Sequence, residues 1–407
     1  MTEPELDVIV VGAGPGGSAA GYYLARAGRR VLMLDKATFP RDKTCGDALT
    51  PRAVAALRDM DVLATLAGQA FAARRLGVVA PGGHMTKVAL ESAVSDPAHA
   101  LVIPRLVLDD VLRKHAMVAG AGFEGGVAVG DIQAGADGVE VHGQRRGQLY
   151  AARARLAIVA TGASTGLLRR IGLLVRMPKV VLAARAYFEG VHGLDDAMQF
   201  HFDGVPLPGY GWVFPTGTAS ANVGAGVLAP NGRARRKRIT GRQAYERFVR
   251  ESSARRMLGA ARQVGRVKGF PIRTDFATAP TYGERVLLVG EAAGLVNPLT
   301  GEGIDYAMES ARTAARHAVR MLERDNFSPA SFAAYDRSLR ADYQRLFEFS
   351  NRVRALGLGA GRLNLLMWWA ETRPDLKVLL TRILLGNHVV PERIKAGQVA
   401  RIVLGRT

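Results

Sequence analysis

The chain has 407 residues, about 48% of them hydrophobic, enough for more than one core. Its one cysteine, Cys45, excludes an intramolecular disulfide and points to a reducing, cytoplasmic setting. No secretory leader or membrane span is expected, since no apolar stretch nears the ~20 residues that cross a bilayer.

The formal charge of +19 includes a run of Arg233, Arg235, Arg236, Lys237 and Arg238. It is open to two readings, attraction to an anionic membrane surface or a solvated basic loop; nucleic acid is not the expected partner. Taken in chain order, Asp7–Val11 is a β-branched run that reads as a buried parallel strand. Gly12-Ala13-Gly14-Pro15-Gly16-Gly17 follows, then a helical pattern that stops at Gly28, and Val31–Leu34 reads as a second strand closed by Asp35. In such a βαβ unit Gly12 permits the tight turn, Gly14 admits a pyrophosphate to the backbone, and Gly17 lets helix and strand approach. Pro15 starts the helix, and Asp35, 18 residues after Gly17 with Lys36 beside it, stands where an acid meets a ribose hydroxyl. The unit predicts dinucleotide binding without separating NAD from FAD.

Further along, Ile103–Leu112 carries Arg105 at the head of a helical pattern, and Leu156–Val159 is a returning strand that ends in Thr161-Gly162. Val180–Glu189, Met198–Asp203, Ala219–Val227 and Val264–Ile272 read as strands. Between them Pro208-Gly209-Tyr210-Gly211-Trp212-Val213-Phe214-Pro215 alternates, so Tyr210, Trp212 and Phe214 share one face. That face is either an apolar wall for a ligand or an ordinary sheet core. Val286–Gly290 is another apolar strand, followed by Glu291, by Pro298-x-x-Gly301-x-Gly303, and by a long helix from Ile304.

The strand, acidic turn, Pro-x-x-Gly-x-Gly and helix at 286–304 resemble the second FAD contact of flavoproteins shaped like para-hydroxybenzoate hydroxylase. With the loop Phe39–Pro51 and the Pro-x-x-Tyr-x-Trp-x-Phe-Pro pattern at 208–215, they resemble the geranylgeranyl reductase family over residues 7–325. The resemblance implies an α/β fold: a Rossmann-like FAD-binding domain (1–75, 100–179, 273–345), an antiparallel-sheet substrate domain (76–99, 180–272) and a helical C-terminal region (346–407). It implies that Glu291 takes the ribityl contact, although the family has Asp there. It also implies that Gly290, Pro298, Gly301, Gly303, Ile304, Cys45 and Gly46 lie on the cofactor, with Arg105 on the flavin or its linker and Gly162 beside the adenosine part. Tyr210, Trp212 and Phe214 then line the substrate cavity, and Cys45, Tyr210 and Trp212 are the catalytic candidates. For Cys45, gating or proton donation stands beside a plain role as a small buried hydrophobe. Thr161-Gly162 replaces the Asp-Gly tied to NAD(P)H in the hydroxylases, which weakens but does not remove NADPH as reductant; ferredoxin is the other donor class. No His/Asp/Ser or Cys/His spacing suggests a triad or a metal.

The expected activity is therefore reduction of prenyl C=C bonds by FAD. The rival is a monooxygenase or halogenase acting on an aromatic or polyketide, though the halogenase Trp-x-Trp-x-Ile-Pro pattern is not matched. A flavin-bearing binding protein without turnover is a third reading. From residue 351 on, ten Lys/Arg face three Asp/Glu beside Trp368-Trp369 and leucine clusters. This tail suits either packing around the substrate or lying on an anionic bilayer.

Overall fold

Apolar runs from opposite ends of the chain lie side by side as parallel strands. Leu6–Val11 pairs with Val31–Asp35 on one flank and with Gln148–Val159 on the other, and Val286–Leu288 pairs with the end of Gln148–Val159. Gly122–Gly125 extends this sheet past Val31–Asp35. In the computed structural model, residues 6–90, 100–178, 180–228, 239–357 and 359–386 are described. The basic run at 233–238 and the tail beyond 386 lie outside the described residues. The carboxyl ends of the parallel strands meet along one edge, where open α/β sheets receive ligands.

Glycine decides how the helices leave that edge. Gly12 has φ +104°, and a Cβ there would sit 2.4 Å from the Ala160 carbonyl oxygen. A Cβ on Gly17 would lie 1.7 Å from the Gly12 carbonyl oxygen. The helix Pro15–Arg26 therefore begins hard against the first strand, with Pro15 supplying a preset φ in its first turn. The helix Ile304–Glu323 crosses it where side chains are smallest: a Cβ on Gly16 would be 3.2 Å from the Ala307 carbonyl oxygen, and one on Gly290 would be 2.9 Å from Ala307 Cβ. Met308, Ala311, Ala315, Ala318 and Leu322 bury the inner stripe of this helix.

The second sheet has seven strands, ordered Arg262–Arg273, Val180–Glu189, Ser220–Leu228, Gly209–Pro215, Ala197–His201, Arg75–Val79 and Met85–Ala89. It is the expected antiparallel sheet except at one junction, where Ala197–His201 runs parallel to Arg75–Val79. Those two strands come from distant parts of the chain, so no hairpin dictates their direction. Strand alternation splits its two faces. Val213, Val223 and Ala225 pack under the helix Gly241–Glu251, where Gly211 leaves room for the Phe248 ring. Trp212, Phe214, Met198 and Phe200 form the opposite face with Met367 and Leu385 from the C-terminal helices.

Those helices, Ala360–Thr372 and Pro374–Leu384, dock on the second sheet. The Gly82 N–H donates to Asn364 Oδ1 (2.8 Å), and the Thr86 hydroxyl donates to Glu371 Oε1 (3.1 Å). Among the described residues no helix is long and apolar enough to cross a membrane.

Gly17→Val meets backbone rather than a movable side chain. It is expected to destabilise the protein by about 1–3 kcal/mol or more. Gly361→Ala, in a helix with open space around it, should shift stability by at most about 1 kcal/mol, in the stabilising direction. Thermal melts of the two variants beside the parent check this.

Candidate active site

The edge of the parallel sheet and the aromatic face of the second sheet enclose one cavity of about 830 Å³. Gly12, Gly14, Pro15, Asp35, Lys36, Cys45, Gly46, Arg105, Gly162, Gly290, Glu291, Pro298, Gly301, Gly303 and Ile304 all border it, as do Tyr210, Trp212 and Phe214. Gly17 does not; it lies behind the cavity, in the strand–helix contact its spacing suggested.

At one end the helix Pro15–Arg26 starts at Gly14 with no side-chain cap, and the helix Ile304–Glu323 starts at Gly303 likewise. Both helix starts turn a positive dipole end toward the cavity, which suits phosphate and an anionic ring edge, although at Ile304–Glu323 the Tyr306 amide donates to Asp305 Oδ1 at 2.7 Å. Beside Gly14 stand two guanidiniums. Arg105 forks onto Asp109, with Nε to Oδ1 at 2.5 Å and Nη2 to Oδ2 at 2.7 Å, and Arg41 reaches the same carboxylate at 2.8 Å. Arg41 lies in the Phe39–Pro51 loop, where its place next to Pro40 gives no sign in sequence that it folds back onto Asp109. Asp35 already has a structural task, accepting from the amides of Ala13 (2.9 Å) and Ala37 (2.8 Å), while Lys36 is exposed at the rim.

At the other end Glu291 Oε1 accepts from the Arg273 amide at 3.0 Å, and its Oε2 is 3.7 Å from Lys43 Nζ. The glutamate carboxylate thereby reaches the end of the strand Arg262–Arg273. Gly162, at φ +62°, leaves space for Lys43, whose Nζ would be 2.9 Å from an added Cβ. The Tyr210 hydroxyl donates to the Thr300 carbonyl and lies 3.1 Å from where a Cβ on Gly301 would be. The aromatic strand is thereby tied to the Pro298–Gly303 loop.

The segment carrying Cys45 is pinned between the sheets. Asn222 Nδ2 donates to the Cys45 carbonyl and to Asp47 Oδ2, both at 2.8 Å, and Trp212 Nε1 donates to Asn222 Oδ1 at 2.9 Å. The Tyr187 hydroxyl donates to Asp47 Oδ2 at 2.5 Å. Asp47 holds a left-handed φ of 66°. A Cβ on Gly46 would touch the Phe214 ring at 3.0 Å, so glycine lets the loop press on the aromatic wall. Asp42 receives Arg185 at 2.6 Å and Lys268 at 2.7 Å. Burial pushes the Cys45 thiol up against the opposing influence of Arg105, so it stays protonated near neutral pH. Burial raises Asp47 to about 6 despite its hydrogen bonds. Sequence reading missed Asp47, Tyr187 and Asn222; their partners come from three separate segments, and only the Gly46-Asp47 pair gave a local signal.

Uncapped helix starts, paired guanidiniums, a carboxylate at the strand end and an apolar roof fit FAD, and together they define an FAD-dependent oxidoreductase. The FAD binding domain family matches residues 5–350. The menaquinone reductase of Mycobacterium tuberculosis (strain ATCC 25618 / H37Rv) is 37% identical over 324 residues, covering 76% of this chain and 75% of that protein. Digeranylgeranylglycerophospholipid reductase 1 of Methanopyrus kandleri is 31% identical over 374 residues, covering 86% and 90%. A geranylgeranyl bacteriochlorophyll reductase-like protein from Thermoplasma acidophilum shares the fold, with TM-score 0.80, 22% identity, and coverage of 98% and 95%. The chain belongs to the geranylgeranyl reductase family of FAD-binding proteins.

Asp47 gives a stability test. Its unfolded value is near 3.8 and its folded value about 6, so between these the native state holds a proton the unfolded chain has lost. Its contribution is full below the unfolded value, falls as pH rises to about 6, and is then flat. The melting temperature of Asp47→Asn minus that of the parent should therefore rise between pH 4 and 6.5. A difference that stays constant across this range would refute the assignment.

Proposed function

We propose that the protein reduces isolated C=C bonds of a prenyl chain held between the aromatic strand and the Pro298–Gly303 loop. The observation that carries this reading is the apolar wall of Phe200, Tyr210, Trp212 and Phe214, which lines the same cavity as that loop and meets it at the Tyr210–Thr300 hydrogen bond. The cavity continues past it to Leu363, Leu384 and Leu385. The names of the menaquinone and digeranylgeranylglycerophospholipid reductases support a prenyl substrate.

When bound, FAD supplies the hydride that an unactivated alkene needs. We assign the diphosphate to the amides after Gly12 and Gly14 with Arg105 and Arg41, and the ribose end to Asp35 with Lys36 at the rim. We assign the ribityl chain to Glu291 with Gly162 and Gly290, and the ring edge to the Gly301–Ile304 segment at the start of the helix Ile304–Glu323. Tyr210 and Trp212 fix the wall through their bonds to Thr300 and Asn222, so the chain is oriented and water kept out. Cys45, protonated and pressed against the wall by Gly46, is a small apolar contact in this arrangement. The reductant is external and supplies two electrons per turnover, together from NADPH or one at a time from a ferredoxin-type donor.

Solved flavin-dependent halogenases share the fold at low identity, such as the brominase Bmp2 at 20%, and fold does not set chemistry. The decisive assay is anaerobic. Enzyme reduced with dithionite should be reoxidised by a prenylated quinone or a geranylgeranyl lipid, and the product should gain two hydrogens per bond. Reoxidation only on admitting air, or with small aromatics alone, would place the protein with the monooxygenases or halogenases.

We also propose peripheral contact with anionic lipid through the outer face of the C-terminal helices, where Leu365 and Trp368 are 45% and 58% exposed one turn apart. Sedimentation with vesicles containing anionic phospholipid should carry the protein down, and Trp368→Ala should weaken that several-fold. Equal binding of parent and variant would count against this face.

A further inference from the structure

Glu302 is a carboxylic acid in the wall of the cavity with one oxygen left unused. The residue borders the cavity between Gly301 and Gly303, and its Oε1 is buried with no hydrogen-bond partner. A buried polar oxygen without a partner costs about 1–3 kcal/mol, so a carboxyl kept in this state points to a use. Its surroundings locate that use. The Glu302 carbonyl accepts from the Asn297 amide at 2.8 Å, and its amide donates to Thr300 Oγ1 at 3.3 Å. The backbone is thereby fixed while the side chain remains available. Tyr210 and Cys45 are close enough to feel its charge, as is Asp305 on the following helix.

Three acids thus meet at the reactive end of the cavity, and two are poorly suited to give up a proton. The Tyr210 hydroxyl is committed to the Thr300 carbonyl, and burial holds it above the ordinary tyrosine range. Burial likewise raises the Cys45 thiol. Burial and the neighbouring Asp305 carboxyl raise Glu302 well above the usual carboxylate range, against the Gly303 and Ile304 amides and the Arg52 guanidinium. A carboxyl kept neutral this way is still a far stronger acid than a phenol.

We propose that Glu302 is the proton donor of the reduction. This rests on the prenyl-reductase reading above. The π bond of the alkene breaks. One carbon takes the hydride that reduced FAD supplies, and the other forms a C–H bond with the proton from the Glu302 carboxyl as that O–H bond breaks. The reduction leaves oxidised FAD, to be restored by two electrons from the external donor, and a Glu302 carboxylate, which takes a proton from solvent. The groups that face it are Asp305 on the following helix, Arg52 from the helix Pro51–Asp59, Tyr210 from the aromatic strand, and Cys45, itself beside Arg105, from the facing segment.

The test compares parent, Glu302→Gln and Glu302→Asp. The ligand-free parent near neutral pH should show an infrared carbonyl band of a protonated carboxylic acid that Glu302→Gln lacks. Both variants should bind FAD with the parent's visible spectrum. Anaerobic reoxidation of dithionite-reduced enzyme by a geranylgeranyl lipid should fall about 10²–10⁴-fold in Glu302→Gln, with partial recovery in Glu302→Asp. The parent's rate should fall as pH rises through the titration of Glu302, and the residual rate of Glu302→Gln should lack that fall. Glu302→Gln within about threefold of the parent would overturn the proposal. So would loss of FAD binding in Glu302→Gln, which would assign the carboxyl to holding the cofactor. If the parent itself is not reoxidised by any prenyl compound, the prenyl-reductase reading fails, and the proton-donor assignment with it.

Discussion

The crossing of two helices on side chains no larger than a methyl group is the contact on which the cavity depends. Pro15–Arg26 and Ile304–Glu323 begin some 290 residues apart in sequence, yet both start at the same edge of the parallel sheet. Gly16, Gly290 and Ala307 let their backbones approach. Any larger side chain there would separate the two helix starts and misalign the dipole ends they turn toward the cavity. Because N–H groups at a helix terminus act over only the first turn, both ends must be placed within that reach of a single bound molecule. This is why glycine concentrates at the helix starts, where its conformational entropy cost is repaid by geometry.

A second coupling joins the cofactor end to the aromatic roof. Asn222, on the second sheet, receives the Trp212 indole and holds both the Cys45 carbonyl and the Asp47 carboxylate. Asp42 receives Arg185 and Lys268 from the same sheet. The loop between the first βαβ unit and the helix at Pro51 is therefore stitched to the roof, and Tyr210 returns the link to the Pro298–Gly303 loop. In such a network each buried polar group raises the cost of disturbing the next. The aromatic wall keeps its place relative to the flavin loops without a direct chain connection.

Much of this arrangement was legible in the sequence, for a definite reason. The strand–glycine–helix units announce themselves because each needs unusual residues at short, rigid spacing: Gly12, Gly14 and Gly17, then Gly290, Gly301 and Gly303. The aromatic face was legible through its period of two. What stayed hidden depends on contacts between remote segments. Arg41 on Asp109, Lys43 beside Glu291 and the Tyr187–Asp47–Asn222 set are side chains of common types in loops and strands, and nothing local marks their partners. The parallel junction of Ala197–His201 with Arg75–Val79 was invisible for the same reason, since strand direction there follows from the path of the chain and not from local pattern.

The electrostatics of the cavity divide the labour between protein and cofactor. At one end of the cavity Arg105 and Arg41 converge on the Asp109 carboxylate, and Arg41 also lies 3.8 Å from Asp35, so two guanidiniums and two carboxylates are interleaved there. At the ring end Glu302 and Asp305 lie together at a helix start with Arg52 as their nearby cation. Two carboxyls so close in a poorly hydrated site resist joint ionisation, and Asp305 is itself raised to about 6 by burial. Arg52 is more tightly bound to Asp305 and Glu309 than to Glu302, lying 3.4 Å from Asp305 Oδ2 and in direct contact with Glu309. Arg52's position favours ionising Asp305 over Glu302, the carboxyl that borders the cavity. A site arranged this way stores a proton next to an apolar chain, and alkene reduction needs one in addition to the flavin's hydride.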